Sequence, residues 1–121
     1  MHIVNGFPNN TYPLEIRCHS GDTDFGFHEL MAGDEFSWKF HNHILSRTLY
    51  FCHFYWGDNL DKVFDVFDDD KKYPACDDNN DFTIHFRTCY WLVRDDGFYY
   101  CNYKADFNSS EWDFIYPWKS Y

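Results

Sequence analysis

The chain has 121 residues, of which 24% are aromatic, and its 10 Lys and Arg stand against 20 Asp and Glu, a net charge of −10. A chain of this length forms one domain with its own core. Its charge disfavours binding to nucleic acid or to an anionic membrane surface, and no apolar stretch approaches the ~20 residues that cross a bilayer. A cationic partner is the natural complement of such a surface, and the same charge keeps an aromatic-rich protein soluble.

Alternation of apolar and polar residues predicts strands along most of the chain. The predicted strands span 3–5, 14–18, 36–40, 49–56, 63–67, 82–86, 89–93 and 98–103. Within 49–56 almost every residue is apolar or aromatic, which favours a central strand covered on both faces. One short helical turn is predicted at 29–32, and the polar segment 68–81 predicts a long loop.

Turn signals recur about every 8–12 residues, which is typical of a sandwich or barrel. Asp96-Gly97 is the strongest hairpin signal, because Gly takes positive φ freely. Trp56 and Trp91 lie within apolar strands and are expected to anchor the core. The sequence therefore predicts an all-β fold, a single domain over 1–121 built as a small antiparallel β-sandwich. Its aromatic C-terminal tail, 104–121, is expected to dock at least in part on a sheet.

Five cysteines indicate an oxidising compartment, and we expect a secreted, extracellular protein. Two glycosylation sequons, Asn9-Asn10-Thr11 and Asn108-Ser109-Ser110, predict glycans on Asn9 and Asn108. The chain does not begin with the basic and then apolar segments of a signal peptide. We therefore expect a mature domain whose signal has been removed, with Met1 left by expression.

Two features of the sequence resemble parts of metal sites, a pair of histidines and an acidic run. His41 and His43 would project from one face of a strand, as zinc ligands can, but no third ligand follows at a recognisable spacing. The run 77–81 resembles the opening of a calcium loop, but Phe82 stands where Gly is required and Thr88 where an acid is required. The sequence therefore predicts no metal and no cofactor.

The sequence also indicates no pair of residues suited to catalysis. Cys18-His19 and Cys52-His53 are adjacent residues of strands, so each pair points to opposite faces and cannot act as nucleophile and base. Carboxylates are abundant, but none has an apolar setting that would single it out as a general acid. We predict no catalytic residue.

Four segments combine Cys, Trp and aromatic residues at fixed spacings: 17–26, 48–56, 64–67 and 89–99. The order of these segments and their residue identities resemble the plant self-incompatibility S1 family, over about residues 3–99. The resemblance implies a secreted β-sandwich with intrachain disulfides and no enzymatic activity. It implies a signalling or recognition ligand that binds a cell-surface receptor protein, most simply as a monomer.

Acidic segments between strands are the expected binding surface, because the hydrophobic core does not require acidic residues there. The candidate residues are Asp22, Asp24, Asp68, Asp69 and Asp70. An alternative function is a secreted carbohydrate-binding module, in which exposed Trp and Tyr would stack on sugar rings. A third class, a small secreted hydrolase, would need a cleft with converging carboxylates.

The resemblance also implies which cysteines pair. Cys18, Cys52, Cys76 and Cys89 match the family framework and are expected to form two intrachain disulfides, with Cys101 left over. Four cysteines allow three connectivities. We prefer Cys18 with Cys89, since both lie within strands, which leaves Cys52 with Cys76.

Overall fold

A computed structural model describes residues 1–21, 23–38, 49–68, 77–78, 87–101 and 110–118. These residues form strands and turns, with no helix among them. The strands are β1 (His2–Asn5), β2 (Leu14–His19), β3 (Asp24–Leu30), β4 (Glu35–Ser37), β5 (Leu49–Trp56), β6 (Leu60–Asp68), β7 (Asp77–Asp78), β8 (Arg87–Thr88), β9 (Tyr90–Arg94), β10 (Gly97–Cys101) and β11 (Asp113–Tyr116).

Two main sheets pack face to face, which confirms the all-β prediction. The five-stranded sheet has the order β11-β10-β9-β1-β4, and the four-stranded sheet has the order β3-β2-β5-β6. A short ladder joins β7 to β8. The prediction of purely antiparallel sheets was wrong at one pair, because β1 runs parallel to β9, with His2 opposite Tyr90. A parallel pair needs a long connection, and here residues 6–89 lie between the two strands.

The predicted alternation fixes the inner face of the four-stranded sheet. In β2, Leu14, Ile16 and Cys18 are fully buried, whereas Arg17 between them is exposed. In β5 only one face is buried in this way, at Cys52 and Phe54. The prediction that β5 is covered on both faces was therefore wrong.

Aromatic rings from the two sheets meet in the core. Phe54 lies 4.9 Å from Phe98, and Phe64 lies 4.9 Å from Trp91, measured between ring centroids. Trp91 is fully buried, and its indole Nε1 donates to the carbonyl oxygen of Val66 at 3.1 Å. The prediction that Trp91 anchors the core is confirmed.

Trp56 anchors the rim of the same core. Its ring stacks on Phe7 at 4.4 Å, and its Nε1 donates to the carbonyl oxygen of Tyr12 at 3.0 Å. Because Trp56 is half-buried, its role is to hold the segment before β2 against the end of the sandwich.

The five-stranded sheet is covered on its outer face as well. Val4, Leu92 and Cys101 form a second buried cluster there with Trp112. This second layer explains why Trp91, Leu92 and Val93 are buried in succession along β9, as expected for a strand between two layers.

The aromatic tail docks on the five-stranded sheet, as predicted. Its strand β11 pairs with β10 in antiparallel register. Trp118 is buried against Phe98, and its Nε1 donates to the carbonyl oxygen of Arg94 at 2.6 Å. The tail therefore completes both an edge of the sheet and part of the core.

Gly97 allows β11 to approach the β9–β10 hairpin, and its replacement by Ala should release that strand. Gly97 has a φ of +148°, and a Cβ there would lie 2.3 Å from the carbonyl oxygen of Tyr116. We expect Gly97→Ala to cost about 1–3 kcal/mol of unfolding free energy and to expose the tail to proteolysis. Gly33→Ala is the control, because Gly33 also has positive φ but no atom within 4 Å of the added Cβ. Equal protease resistance of the two variants would contradict the role of close approach.

Several local predictions need correction. The helical turn expected at 29–32 is wrong, because Leu30 ends β3 opposite Leu14 and a turn follows at Ala32 and Gly33. Strand β3 itself was not predicted, since its sequence mixes charged and aromatic residues without clear alternation. Strand β4 is shorter than the predicted 36–40, and the strand predicted at 82–86 lies outside the described residues.

The preferred disulfide pairing is also wrong. Cys18 is bonded to Cys52, and their Cα atoms are 4.1 Å apart because the two residues lie directly opposite in the β2–β5 register. Cys89 is disulfide-bonded too, and Cys76 lies outside the described residues. Cys101 is free, as predicted, and it is buried.

Candidate recognition surface

The structure describes two of the five acidic residues predicted for partner binding. Asp24 begins β3 and Asp68 ends β6, so both lie at the same end of the four-stranded sheet. They stand on the two opposite edge strands of that sheet. Asp68 is only 6% exposed, so its placement in an exposed loop was wrong. Asp22, Asp69 and Asp70 lie outside the described residues.

Asp24 is held by an ion pair and by a bulge in its strand. The Nη2 of Arg17 donates to its Oδ2 at 2.5 Å, and the backbone N–H of Gly26 donates to its Oδ1 at 2.9 Å. Gly26 has a φ of +82° and lies where the β2–β3 register shifts. The bulge directs Phe25 into the core, where it stacks on Trp38, and leaves Asp24 beside Arg17.

The Arg17–Asp24 pair should be visible in the titration of the protein. The hydrogen bond from Arg17 and then that from Gly26 lower the pKa of Asp24 from 3.8 to about 2. Because the folded-state pKa is depressed, the stability from this carboxylate is fully present above about pH 3.8 and is lost as the pH falls through about 2. We expect Arg17→Gln to raise the pKa of Asp24 towards 3.8, measured by carboxyl NMR titration. Arg94→Gln, the control, should leave it unchanged, and an equal rise in both variants would contradict the assignment.

The outer face of the four-stranded sheet, called here the open face, is the broadest candidate surface. It consists of the residues that alternate with the buried ones, and the strand registers arrange them in three rows. The rows are Glu29–Glu15–Tyr55–Asp61, Phe27–Arg17–His53–Val63 and Asp24–His19–Phe51–Asp65. Phe27 and Val63 are 54% and 56% exposed, so this face meets solvent at both of its edges.

Histidine rings cover aromatic rings on the open face. His53 stacks on Tyr55 with ring centroids 4.1 Å apart, and His19 stacks on Phe51 at 4.3 Å. These contacts explain why β5 carries so many apolar residues although only its inner face is buried. The aromatic residues of its outer face pack against neighbouring rings.

One row of the open face brings carboxylates together. Glu29 lies directly opposite Glu15, and Tyr55 separates Glu15 from Asp61 on the next strand. Among the described residues, no Lys or Arg side chain pairs with any of the three acids. Glu15, Glu29 and Asp61 were not among the predicted binding residues, because acids in loops were expected to form the surface. The alternation of β2 was the available signal, since it placed Glu15 on the outer face.

A disulfide stiffens the sheet beneath these rows. The Cys18–Cys52 bridge joins the two central strands on the inner face, where both cysteines are fully buried. Strands tied to each other present their outer residues at fixed spacings, and a preorganised surface loses less entropy on binding.

The tryptophans do not form an exposed platform for sugars. Trp91, Trp112 and Trp118 are buried, and Trp38 and Trp56 are half-buried within aromatic clusters. Among the residues that the structure describes, the large aromatic side chains with clear exposure are instead Tyr12, Phe27 and Phe114, which lie on different elements. This arrangement removes the main argument for the carbohydrate-binding alternative.

The structure describes only some of the residues predicted for glycosylation or considered as metal ligands. Asn9 is exposed, and its Oδ1 accepts from the backbone N–H of Thr11 at 3.0 Å; Asn108 lies outside the described residues. Within the described ranges, no three His, Cys, Asp or Glu side chains group so as to hold a metal ion, and His41 and His43 lie outside them. No helix in that part of the chain has the length and apolar character to cross a membrane.

Comparison with known proteins yields several plant relatives of similar sequence. The chain is 36% identical to S-protein homolog 24 of Arabidopsis thaliana over 91 residues, which cover 75% of this chain and 54% of that protein. It is 30% identical to S-protein homolog 2 over 115 residues, covering 95% and 65%, and 33% identical to S-protein homolog 29 over 113 residues, covering 91% and 73%. The chain thus spans about half the length of S-protein homolog 24.

No solved structure matches the chain. A family model does match it, that of plant self-incompatibility protein S1, over residues 1–118. The match covers both sheets, the Cys18–Cys52 bridge and the docked tail through Trp118. The chain belongs to the plant self-incompatibility protein S1 family.

Proposed function

We propose that this protein is a secreted, non-enzymatic recognition ligand for a receptor protein on the plant cell surface. The observation that carries the proposal is the family match over residues 1–118. We propose further that it acts as a monomer and needs no cofactor, because neither the family resemblance nor any motif in the sequence calls for one.

Secretion is supported by the disulfide. Disulfides persist in oxidising compartments and are rare in the cytosol, and Cys18–Cys52 is buried at the centre of the four-stranded sheet. Glycans on Asn9 and Asn108 would be consistent with the same route, and the exposure of Asn9 leaves room for one. The test is glycosidase treatment of the protein purified from plant apoplastic fluid, with Asn9→Gln and Asn108→Gln as controls. A protein found only inside the cell would contradict secretion.

Receptor binding is proposed to use Asp24, which lies at one end of the sandwich, and the acidic residues that neighbour Asp24 or Asp68 in sequence. Asp22, Asp69 and Asp70 are included from the sequence, whereas Asp68 is too buried to make direct contact. Carboxylates at an interface rim speed association with a cationic partner, and salt screens this effect. The proposed surface should therefore show a strong dependence of the association rate on ionic strength.

The experiment is binding of fluorescently labelled protein to intact plant cells, followed by chemical crosslinking to identify the captured surface protein. The combined variant Asp22→Asn, Asp69→Asn and Asp70→Asn should slow association at low salt. The control variant Asp58→Asn, Asp95→Asn and Asp34→Asn makes the same change in net charge at the other end of the sandwich. Absence of saturable binding to any cell type, or equal slowing in both variants, would contradict the proposal.

A further inference from the structure

We infer that the open face is a docking surface for an extended, arginine-bearing segment of a partner protein. The inference rests on the proposed function only in making that partner the receptor. Three structural observations support it: the Glu29–Glu15–Tyr55–Asp61 row, the exposed residues beside this row, and the lack of any Lys or Arg paired with its acids in the part of the chain that the structure describes.

The acid row contains an electrostatic conflict that folding does not resolve. Glu29 and Glu15 lie directly opposite each other on neighbouring strands, an arrangement of like charges that destabilises a sheet. Arg17 is the only Lys or Arg among the twelve residues of the open face, and its guanidinium is turned to Asp24 in the far row. Departures from local rules of this kind tend to occur at functional sites, and here a cationic ligand would relieve the repulsion.

The surroundings of the acid row favour a guanidinium over a simple ammonium ion. Tyr55 lies between Glu15 and Asp61 in the row, and the exposed side chains of Phe27 and Val63 border it in the next row. A guanidinium is planar, binds carboxylates through two hydrogen bonds and packs on aromatic rings. The apolar stem of an arginine would cover the exposed apolar residues while its head reaches the acids.

The dimensions fit an extended segment that crosses the strands. The row spans three strand spacings, about 14 Å, and alternate residues of an extended peptide lie about 7 Å apart. Two or three arginines at alternate positions would therefore match the row from Glu29 to Asp61.

Other occupants fit the open face less well. A second copy of this chain would bring a net charge of −10 towards the same acids. A sugar chain would need several open aromatic faces, whereas His53 covers one face of Tyr55 and His19 covers one of Phe51, which leaves Phe27 as the exposed ring of this face. The partner is therefore assigned as a basic protein segment.

The test titrates the whole protein with the synthetic peptide acetyl-(Arg-Ser)4-amide and follows backbone amide NMR shifts. We expect the shifts to concentrate at residues of the acid row and its neighbours, such as Glu15, Glu29 and Tyr55. The double variant Glu15→Gln/Glu29→Gln should weaken peptide binding at least tenfold and should not lower the melting temperature, since it removes a repulsion. The control, Asp34→Asn/Asp95→Asn, makes the same change in net charge away from the open face and should alter binding less than threefold.

Several results would overturn the inference. One is that the peptide does not bind, or that both double variants weaken its binding equally. Another is that the amide shifts spread over the whole acidic surface. A third is that cellohexaose, or a higher protein concentration, shifts the amides of the acid row more than the peptide does. The cell-binding assay keeps this inference separate from the proposed function. If labelled protein binds cells and Glu15→Gln/Glu29→Gln binds equally well, the function stands and the docking face is wrong. If the peptide maps to the face but the protein binds no cell, the face stands and the receptor function is wrong.

Discussion

Replacing Cys18 and Cys52 together by Ala is expected to remove about 4 kcal/mol of unfolding free energy in the chain-entropy description of disulfides. The bridge spans 34 residues of sequence and joins the central strands of the four-stranded sheet. Single domains have unfolding free energies of about 5–15 kcal/mol, so the double variant should melt at a much lower urea concentration or fail to fold at 37 °C. Urea titration followed by tryptophan fluorescence measures the effect.

Cys101→Ala is the matched control for that variant. Cys101 is also buried, but it is free, and it lies in the second cluster on the far side of the five-stranded sheet. Its loss should cost about 1 kcal/mol, as for an average substitution. A Cys18→Ala/Cys52→Ala protein as stable as the Cys101→Ala protein would show that the bridge does not stabilise the fold.

Trp91→Ala should be comparably damaging, at about 3–5 kcal/mol for the loss of a fully buried large ring. Trp91 packs against Phe64 from the opposite sheet and against Tyr100 in its own sheet. The variant Trp91→Phe keeps most of that packing but leaves the buried carbonyl of Val66 without its indole donor. We expect this second change to cost about 1–3 kcal/mol, the penalty of an unsatisfied buried group.

The control for Trp91 is Phe114→Ala, which truncates an aromatic ring that is 50% exposed on β11. It should cost at most about 1 kcal/mol. Urea midpoints for the three variants should therefore rank Phe114→Ala above Trp91→Phe and Trp91→Phe above Trp91→Ala. Any other order would mean that the core is not centred on Trp91.

The local pattern of the sequence was enough to predict most strands but not their partners. Leu14, Ile16 and Cys18 alternate with polar residues, and that alternation alone identifies their buried face. The parallel pairing of β1 with β9 depends on contacts between distant segments, which no local pattern contains. The Cys18–Cys52 bridge follows from the β2–β5 register, and without that register all three connectivities were equally consistent with the spacing.

The sequence predicted the negative charge of the candidate surface but not its position. Composition indicated a negative partner-binding surface, and Asp24 does lie on the open face. However, Asp68 ends β6 in a buried position, because that strand continues beyond the predicted 63–67. The opposition of Glu15 and Glu29 needed the pairing of β2 with the unpredicted strand β3, so sequence reasoning had no means of finding it.

The order in which the chain is synthesised affects the two sheets differently. All strands of the four-stranded sheet lie within residues 14–68, so this sheet and its disulfide can form as soon as that segment is available. Strand β1 is made before this segment, but one of its two partners, β9, is made after it. Until then Ile3 and Val4 belong to an apolar strand with an unpaired edge, the kind of segment that aggregates during folding. Variants that weaken β9 should therefore reduce the yield of folded protein more than they reduce the stability of the finished protein.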